Sequence, residues 1–255
     1  MRELVVYGLG ELGQLYGAAA LRAGLRVTPI TRALAAQSIL QALPHDVPVL
    51  VAVSESSLDD ALEVLGRERG NASILLQNEL FPSQWQRHEL RPTVMVPWLL
   101  KKRGVALTVA RATPVFGPHA ELMCELHRAL DVPVIKLRDE AALHQALVEK
   151  YAFIVTINAL GLLRDRTLGM WLQEDPILVH AVALEAAQLG AILCEQDVDL
   201  PRCARAVSEG MRALGTTGAR GRTAEARVSR ALEHGRRIGL ALPELSRAAA
   251  EVLRA

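Results

Sequence analysis

Over residues 1–139, short β-branched apolar runs alternate with stretches of helical spacing. Strands are predicted over 4–7, 25–30, 47–53, 73–77, 93–96, 105–110 and 132–136. Helices are predicted over 12–22, 57–65 and 120–130, the second opening on Ser56 and Ser57 with Asp59 and Asp60 in its first turn. This alternation implies βαβ units and a mostly parallel sheet. From Glu140 onward the texture changes to Ala, Leu, Arg and Glu at helical spacing, with turn signals at Asp175-Pro176, Leu200-Pro201, 215–221 and Leu242-Pro243. Five or six helices and no strand are expected there. The chain therefore divides into an α/β domain, 1–139, and an all-helical domain, 140–255. The stretch "GTTGARG" at 215–221 is the most flexible-looking segment.

Where the first predicted strand ends, the chain reads "YGLGELGQLY". Gly8, Gly10 and Gly13 form G-x-G-x-x-G between a strand and a helix. The first glycine permits the tight turn, the second lets phosphates approach the backbone, and the third lets helix and strand pack closely. The N–H groups of Gly8, Leu9, Gly10, Glu11, Leu12 and Gly13 then lie where a helix start can cradle a pyrophosphate. In this context the pattern points to a dinucleotide and a doubly wound, Rossmann-type sheet. About 20 residues on, an NAD-binding chain is expected to place a carboxylate for the ribose hydroxyls. This chain has Thr31 and Arg32 instead, and a guanidinium suits a 2′-phosphate, so NADP(H) is the expected cofactor. The bland alternative is that Arg32 is a solvated strand-end charge.

Composition narrows the remaining choices. Charged residues are 22% of the chain and the formal net charge is +1, which gives no global field for a polyanion. Nine Arg against three Glu fall between Arg202 and Arg237, yet there is no helix-turn-helix signature and aromatics are only 4%, so no nucleic-acid partner is expected. Cys124, Cys194 and Cys203 are too scattered for a disulfide framework. No His pairs persuasively at ligand spacing with another His, Cys or carboxylate, and no metal is expected. With no leader-like segment and no apolar run of about 18 residues, a soluble cytoplasmic protein without a membrane partner is expected.

Of the 29 basic residues only four are Lys: Lys101, Lys102, Lys136 and Lys150. The first two fall in a turn-like "KKRG". Lys150 lies in the apolar "ALVEKYAFIVTINALGLL", and a partly buried Lys, unlike Arg, can have its pKa lowered enough to release a proton. Lys150, Ile154 and Asn158 follow at i, i+4 and i+8 on one helix face. Two readings stand side by side: Lys150 as proton donor with Asn158 holding a polar substrate group, or a snorkelling Lys with Asn158 capping a neighbouring backbone.

Taken together these stretches resemble the ketopantoate reductase family (2-dehydropantoate 2-reductases). "GLGELGQLYGAAALRAGLRVTPITR" is similar to the family's opening. "SILLQNE" resembles its strand ending in Gln-Asn-Gly, "EKYAFIVTINAL" its segment with a catalytic Lys and an Asn eight residues later, and "HGRRIGLALPE" its closing helix. The resemblance spans nearly the whole chain. It implies an NADPH-dependent oxidoreductase that reduces a small 2-oxo acid, ketopantoate or a relative, to the 2-hydroxy acid on the route to pantothenate. Lys150 is the implied proton donor, and Asn78 and Asn158 the implied substrate contacts, with Asn78 also bordering the cofactor. The family's catalytic Glu corresponds to Glu225 if the chain is two residues shorter after it, and to Thr223 without a gap. The family's second Asn is Ile154 here, the Gly after Gln-Asn is Glu79, and a family Ser has no clear counterpart beyond Thr216 or Thr217. A catalytically impaired NADP(H)-binding protein of the same fold is the competing reading. Family members occur as monomers and as dimers, so either state is expected.

Overall fold

The computed structural model describes residues 2–32, 34–101 and 104–252; Lys102, one of the four lysines noted above, lies outside them. The chain divides into two compact units, Met1–Leu143 and His144–Ala255.

The first unit is built on a seven-stranded sheet. In chain order its strands are β1 (Glu3–Tyr7), β2 (Arg26–Ile30), β3 (Val49–Val51), β4 (Ser73–Leu75), β5 (Thr93–Met95), β8 (Thr113–Phe116) and β9 (Val134–Lys136). Two short strands, β6 (Leu99–Leu100) and β7 (Thr108–Val109), form a separate antiparallel pair. Spatially the main order is β2-β1-β3-β4-β5-β8-β9, parallel throughout except between β5 and β8. After β1 the chain builds β2 on one side and then returns to place β3 on the other, so the order reverses between β1 and β3. In such sheets the crevice beyond the carboxyl ends of the strands at this switch point is where ligands bind.

Burial follows that order. β3, β4 and β5 are buried at every position, as expected of central strands covered on both faces, whereas β2 and β9 at the edges are partly exposed. Pro29, which cannot donate to a ladder, sits on the edge strand β2. Helix α1 (Glu11–Arg22) contributes Tyr16, Ala19 and Ala20 to the core, and α5 (Ala120–Ala129) contributes Met123 and Leu126. One polar link joins these two helices: Tyr16 Oη lies 3.2 Å from His127 Nε2, while His127 Nδ1 lies 2.8 Å from the Met123 carbonyl. A ring that donates from Nδ1 to the carbonyl accepts the tyrosine proton at Nε2, and burial lowers the His127 pKa, which favours that neutral form. Shorter helices α2 (Ala36–Gln41), α3 (Leu58–Leu65) and α4 (Pro82–Gln86) complete the unit.

The second unit contains six helices among the described residues: α6 (Glu140–Leu163), α7 (Leu168–Glu174), α8 (Pro176–Cys194), α9 (Leu200–Ala213), α10 (Ala224–Ile238) and α11 (Pro243–Val252). Three of their starts are capped by side chains of the expected kind. Thr167 Oγ1 accepts the Met170 N–H, Asp175 Oδ1 the Leu178 N–H at 3.1 Å and Asp199 Oδ1 the Arg202 N–H at 2.7 Å. Gly239, at φ +70°, ends α10.

Three expectations need correction. The strand over 105–110 is reduced to Thr108–Val109, which pairs with Leu99–Leu100 and stands outside the main sheet. The sixth place in that sheet belongs to β8, whose run "TPVF" carries a proline and was not predicted. Two helices, α6 and α8, are long and apolar enough to cross a membrane, contrary to the reading that no run sufficed. In α6, 83% of the most apolar window lies inside the fold, as befits a core helix; in α8 the figure is 50%.

Candidate functional site

Two places hold the candidate site residues, one in each unit. In the first, β1 runs into the glycine turn and α1 starts at once, with Gly10 as its N-terminal cap. The three glycines are required for different reasons. Gly8 has φ +100°, and a Cβ there would sit 2.6 Å from the Ala52 carbonyl at the end of β3. A Cβ on Gly13 would sit 1.9 Å from the Gly8 carbonyl. Both are demanded by the fold itself. At Gly10 an added Cβ would meet nothing within 4 Å, and the backbone angle is ordinary. Internal packing does not explain that glycine; a group approaching the helix start does.

The space beside this turn is a cavity of about 650 Å³ at the switch point. Its lining includes Gly8, Leu9 and Gly10 after β1, Thr31 and Arg32 after β2, and Val53 after β3. Arg32 is exposed and lines the cavity beyond the end of β2, and no carboxylate occupies that strand end. A carboxylate does line the cavity further on, Asp60 of α3, whose charge helps burial to raise the Tyr7 pKa. Glu11 opens α1 and Leu12 packs against the core. The residues present thus fit a nicotinamide dinucleotide: a cradle of N–H groups, a glycine that keeps the approach open, and a cation at the ribose end.

Next to the turn, the segment after β4 closes the sheet edge. Gln77 is buried; its Nε2 donates to the Val51 carbonyl at 2.6 Å and its Oε1 accepts the Leu76 N–H at 3.1 Å. This ties the ends of β3 and β4 together. Asn78 is half-buried and its Nδ2 donates to Glu55 Oε1 at 3.4 Å. Glu79, where the resembling family has Gly, has φ +53°. This left-handed backbone, which suits glycine, carries a side chain that strains it by about 1 kcal/mol.

The second place is one face of α6. Lys150 is 7% exposed, and its Nζ lies 5.5 Å from the centroid of the Phe153 ring. Burial, with Arg227 of α10 adding its repulsion, lowers the Lys150 pKa from 10.5 to about 7. Asn158 is also buried. Its Nδ2 donates to the Ile154 carbonyl at 2.7 Å and its Oδ1 accepts the Gly221 N–H at 3.2 Å. That is the backbone-capping arrangement: Asn158 clamps α6 to the turn ahead of α10. Glu225 does not join Lys150. It pairs with Arg220 at 2.7 Å, and its side chain is 57% exposed. Thr223, the ungapped counterpart of the family's Glu, accepts a 2.8 Å hydrogen bond from Arg227 Nε. Sequence reasoning missed Arg227. Its only signal was its spacing, four residues after Thr223 within an Arg-rich stretch.

No protein-family model matches the sequence, and no curated protein matches it at a significant level. Solved structures do. A 2-dehydropantoate 2-reductase from Geobacter metallireducens GS-15 superposes with TM-score 0.69 at 20% identity, over 99% of both chains. A PanE/ApbA family ketopantoate reductase from Ralstonia eutropha JMP134 gives 0.66 at 17% identity, over 97% of this chain and 96% of that one. The chain has the ketopantoate reductase fold. D-mandelate dehydrogenase, solved with NADH and anilino(oxo)acetate, shares that fold at TM-score 0.69 and 12% identity, over 99% of this chain and 97% of that one. That fold covers nearly the whole chain, at 12–20% sequence identity.

Proposed function

We propose that the protein is an oxidoreductase that reduces a small 2-oxo acid to the 2-hydroxy acid with NADPH, in the cytoplasm, as a monomer or homodimer. The glycine turn and the start of α1 hold the pyrophosphate, and Arg32 prefers the 2′-phosphorylated form. Asn78 borders the nicotinamide end. Bound in this way, the dinucleotide supplies the hydride for the C2 carbonyl carbon. Lys150, as the ammonium, donates a hydrogen bond to the carbonyl oxygen and passes its proton to that oxygen as negative charge develops on it. Asn158 fixes the lysine helix through Ile154 and Gly221 rather than contacting substrate.

The observation that carries this reading is the buried amine itself. A lysine with its pKa near 7 is a proton donor matched to neutral pH, in a chain that otherwise uses arginine for positive charge. The test is oxidation of NADPH, followed by loss of reduced-nicotinamide absorbance, with ketopantoate and a panel of other 2-oxo acids. Turnover that disappears in Lys150→Ala is the expected result; no turnover on any acid removes the enzymatic assignment.

A second reading is favoured by one observation, the engagement of Glu225 with Arg220 at the surface. If the family's Glu is indispensable, the chain binds NADP(H) without catalysis and serves a regulatory role. Calorimetric NADP(H) binding without reduction of any 2-oxo acid distinguishes this case.

A further inference from the structure

A second cavity lies at the other end of the first unit's sheet. It holds about 580 Å³ and is bounded by Glu3 at the start of β1, the segment 44–48 ahead of β3, and α5. The glycine turn follows Tyr7 at the far end of β1, about 13 Å away at 3.3 Å per residue, so this space is separate from the dinucleotide cavity. Its walls are held in place. The buried Arg69 donates to the carbonyls of Leu40, Leu43 and Pro44 at 2.5, 2.6 and 2.9 Å, which pins the loop that carries Asp46. The Val5 N–H donates to the Pro48 carbonyl at 2.9 Å. On α5, Glu121, Glu125 and Arg128 follow at i, i+4 and i+7 and share one helix face.

Matching the charges of the lining leaves two groups over. Four carboxylates, Glu3, Asp46, Glu121 and Glu125, share the cavity with two guanidiniums, Arg2 and Arg128. Burial lowers the pKa of the half-buried His119, so that ring is neutral at neutral pH and adds no charge. Glu125 takes Arg2 through two bonds of 2.6 and 2.7 Å, Glu3 takes Arg26 at 3.5 Å and the Thr28 hydroxyl at 2.6 Å, and Glu121 pairs with Lys136. Among the described residues the side chains of Asp46 and Arg128 have no ion pair or hydrogen bond. Their charges act at longer range, Asp46 on Arg69 and Arg128 on Glu121 and Glu125. One unmatched fork and one unmatched carboxylate therefore line a single cavity whose remaining wall includes the apolar Leu25, Val47, Pro48 and Leu122. A concave space of this size with an apolar lining and a few polar groups is the usual form of a small-molecule site.

We propose that this cavity binds an apolar α-amino acid as its zwitterion. Arg128 takes the carboxylate through its two terminal nitrogens, Asp46 takes the ammonium, and the side chain lies against the apolar wall. A nucleotide or other polyphosphate is turned away by the surrounding carboxylates, and a simple amine or a simple acid satisfies only one of the two charges. The site is independent of the reduction chemistry and stands whether or not the chain reduces a 2-oxo acid.

L-Leucine tests the site, with isocaproate, which lacks the ammonium, and isoamylamine, which lacks the carboxylate. Calorimetry on the full chain should show leucine bound and each analogue weaker by about tenfold or more, the loss of a charge-assisted contact. Arg128→Gln should weaken leucine and isocaproate about tenfold and leave isoamylamine as it was. Asp46→Asn should weaken leucine and isoamylamine and leave isocaproate as it was. Leucine should bind equally well with and without saturating NADP(H). The proposal is overturned if leucine, valine and phenylalanine all fail to bind at about 10 mM, or if leucine affinity is unchanged in either variant. Displacement of leucine by NADP(H) also overturns it, because that puts the amino acid in the dinucleotide cavity. Should either variant melt early, the two analogues decide on the native chain alone, and an analogue that binds as tightly as leucine refutes the zwitterion site.

Discussion

On the proposed reading the glycine turn and the lysine face each hold an anion, with opposite materials. The turn uses backbone: N–H dipoles at the start of α1, a strained glycine at Gly8 and an open one at Gly10. The lysine face uses side-chain charge, two cations withdrawn from water on α6 and α10. Backbone dipoles carry no net charge, so they stabilise phosphate without a penalty in the empty protein. Buried cations impose one, visible as the depressed Lys150 pKa. The first design is local in sequence; the second depends on residues 150 and 227, far apart in the chain.

The comparison breaks most sharply at Lys150. Replacement by Ala should lower kcat by about 10²–10⁴-fold if proton donation is its task, with NADP(H) affinity unchanged. A smaller loss, measured in single-turnover reduction, removes Lys150 from the chemistry. The reduction rate should also fall as pH rises through about 7, because only the ammonium donates.

Next in size is the fold-level glycine. Gly13→Val should destabilise the first unit by roughly 3 kcal/mol or more, since its Cβ would lie 1.9 Å from the Gly8 carbonyl. Gly10→Val or Gly10→Ala should leave the melting temperature nearly unchanged and weaken only the dinucleotide. Equal destabilisation at both positions would mean that Gly10 too is structural.

Stability should expose the charge penalty on the other side. The folded pKa of Lys150, about 7, lies below its ordinary 10.5, so between these values the unfolded chain binds the extra proton and stability rises with pH. Below pH 7 the buried ammonium is fully charged and the penalty is complete, on the order of 5 kcal/mol. Lys150→Met should therefore stabilise the protein most in acid and progressively less as pH approaches 10.5. Denaturant titrations of both proteins at pH 6 and pH 10 check this; a pH-independent difference contradicts it.

A smaller effect is expected at Arg32. Arg32→Asp should weaken NADPH by about ten- to a hundredfold relative to NADH, the range of one charge-assisted contact replaced by repulsion. Equal losses for both cofactors in direct titrations would assign Arg32 to solvent.

The two regions were also unequally legible in the sequence. Gly8, Gly10 and Gly13 fall within six residues, and their geometry is dictated by that spacing, so the turn and its sheet could be read directly. In the helical half the turn signals at Asp175-Pro176 and Leu200-Pro201 fall at helix starts in the structure. Arg227 could not be found in this way, because its meaning depends on burial beside a residue 77 positions earlier. β8 was hidden by Pro114, and the pairing of Leu99–Leu100 with Thr108–Val109 is too short to leave a periodic trace. Glu225 was suggested by the resemblance only with a two-residue gap, and in the structure it pairs with Arg220 at the exposed side of α10.

Glu79 holds a torsion that suits a residue without a side chain. A single codon change to glycine should relax it and return about 1 kcal/mol of stability. That makes the position a historical marker: if the relaxed protein works as well, the glutamate is drift tolerated by a sturdy sheet, and if it works less well, selection has accepted a contorted peptide in order to keep an acid at that spot.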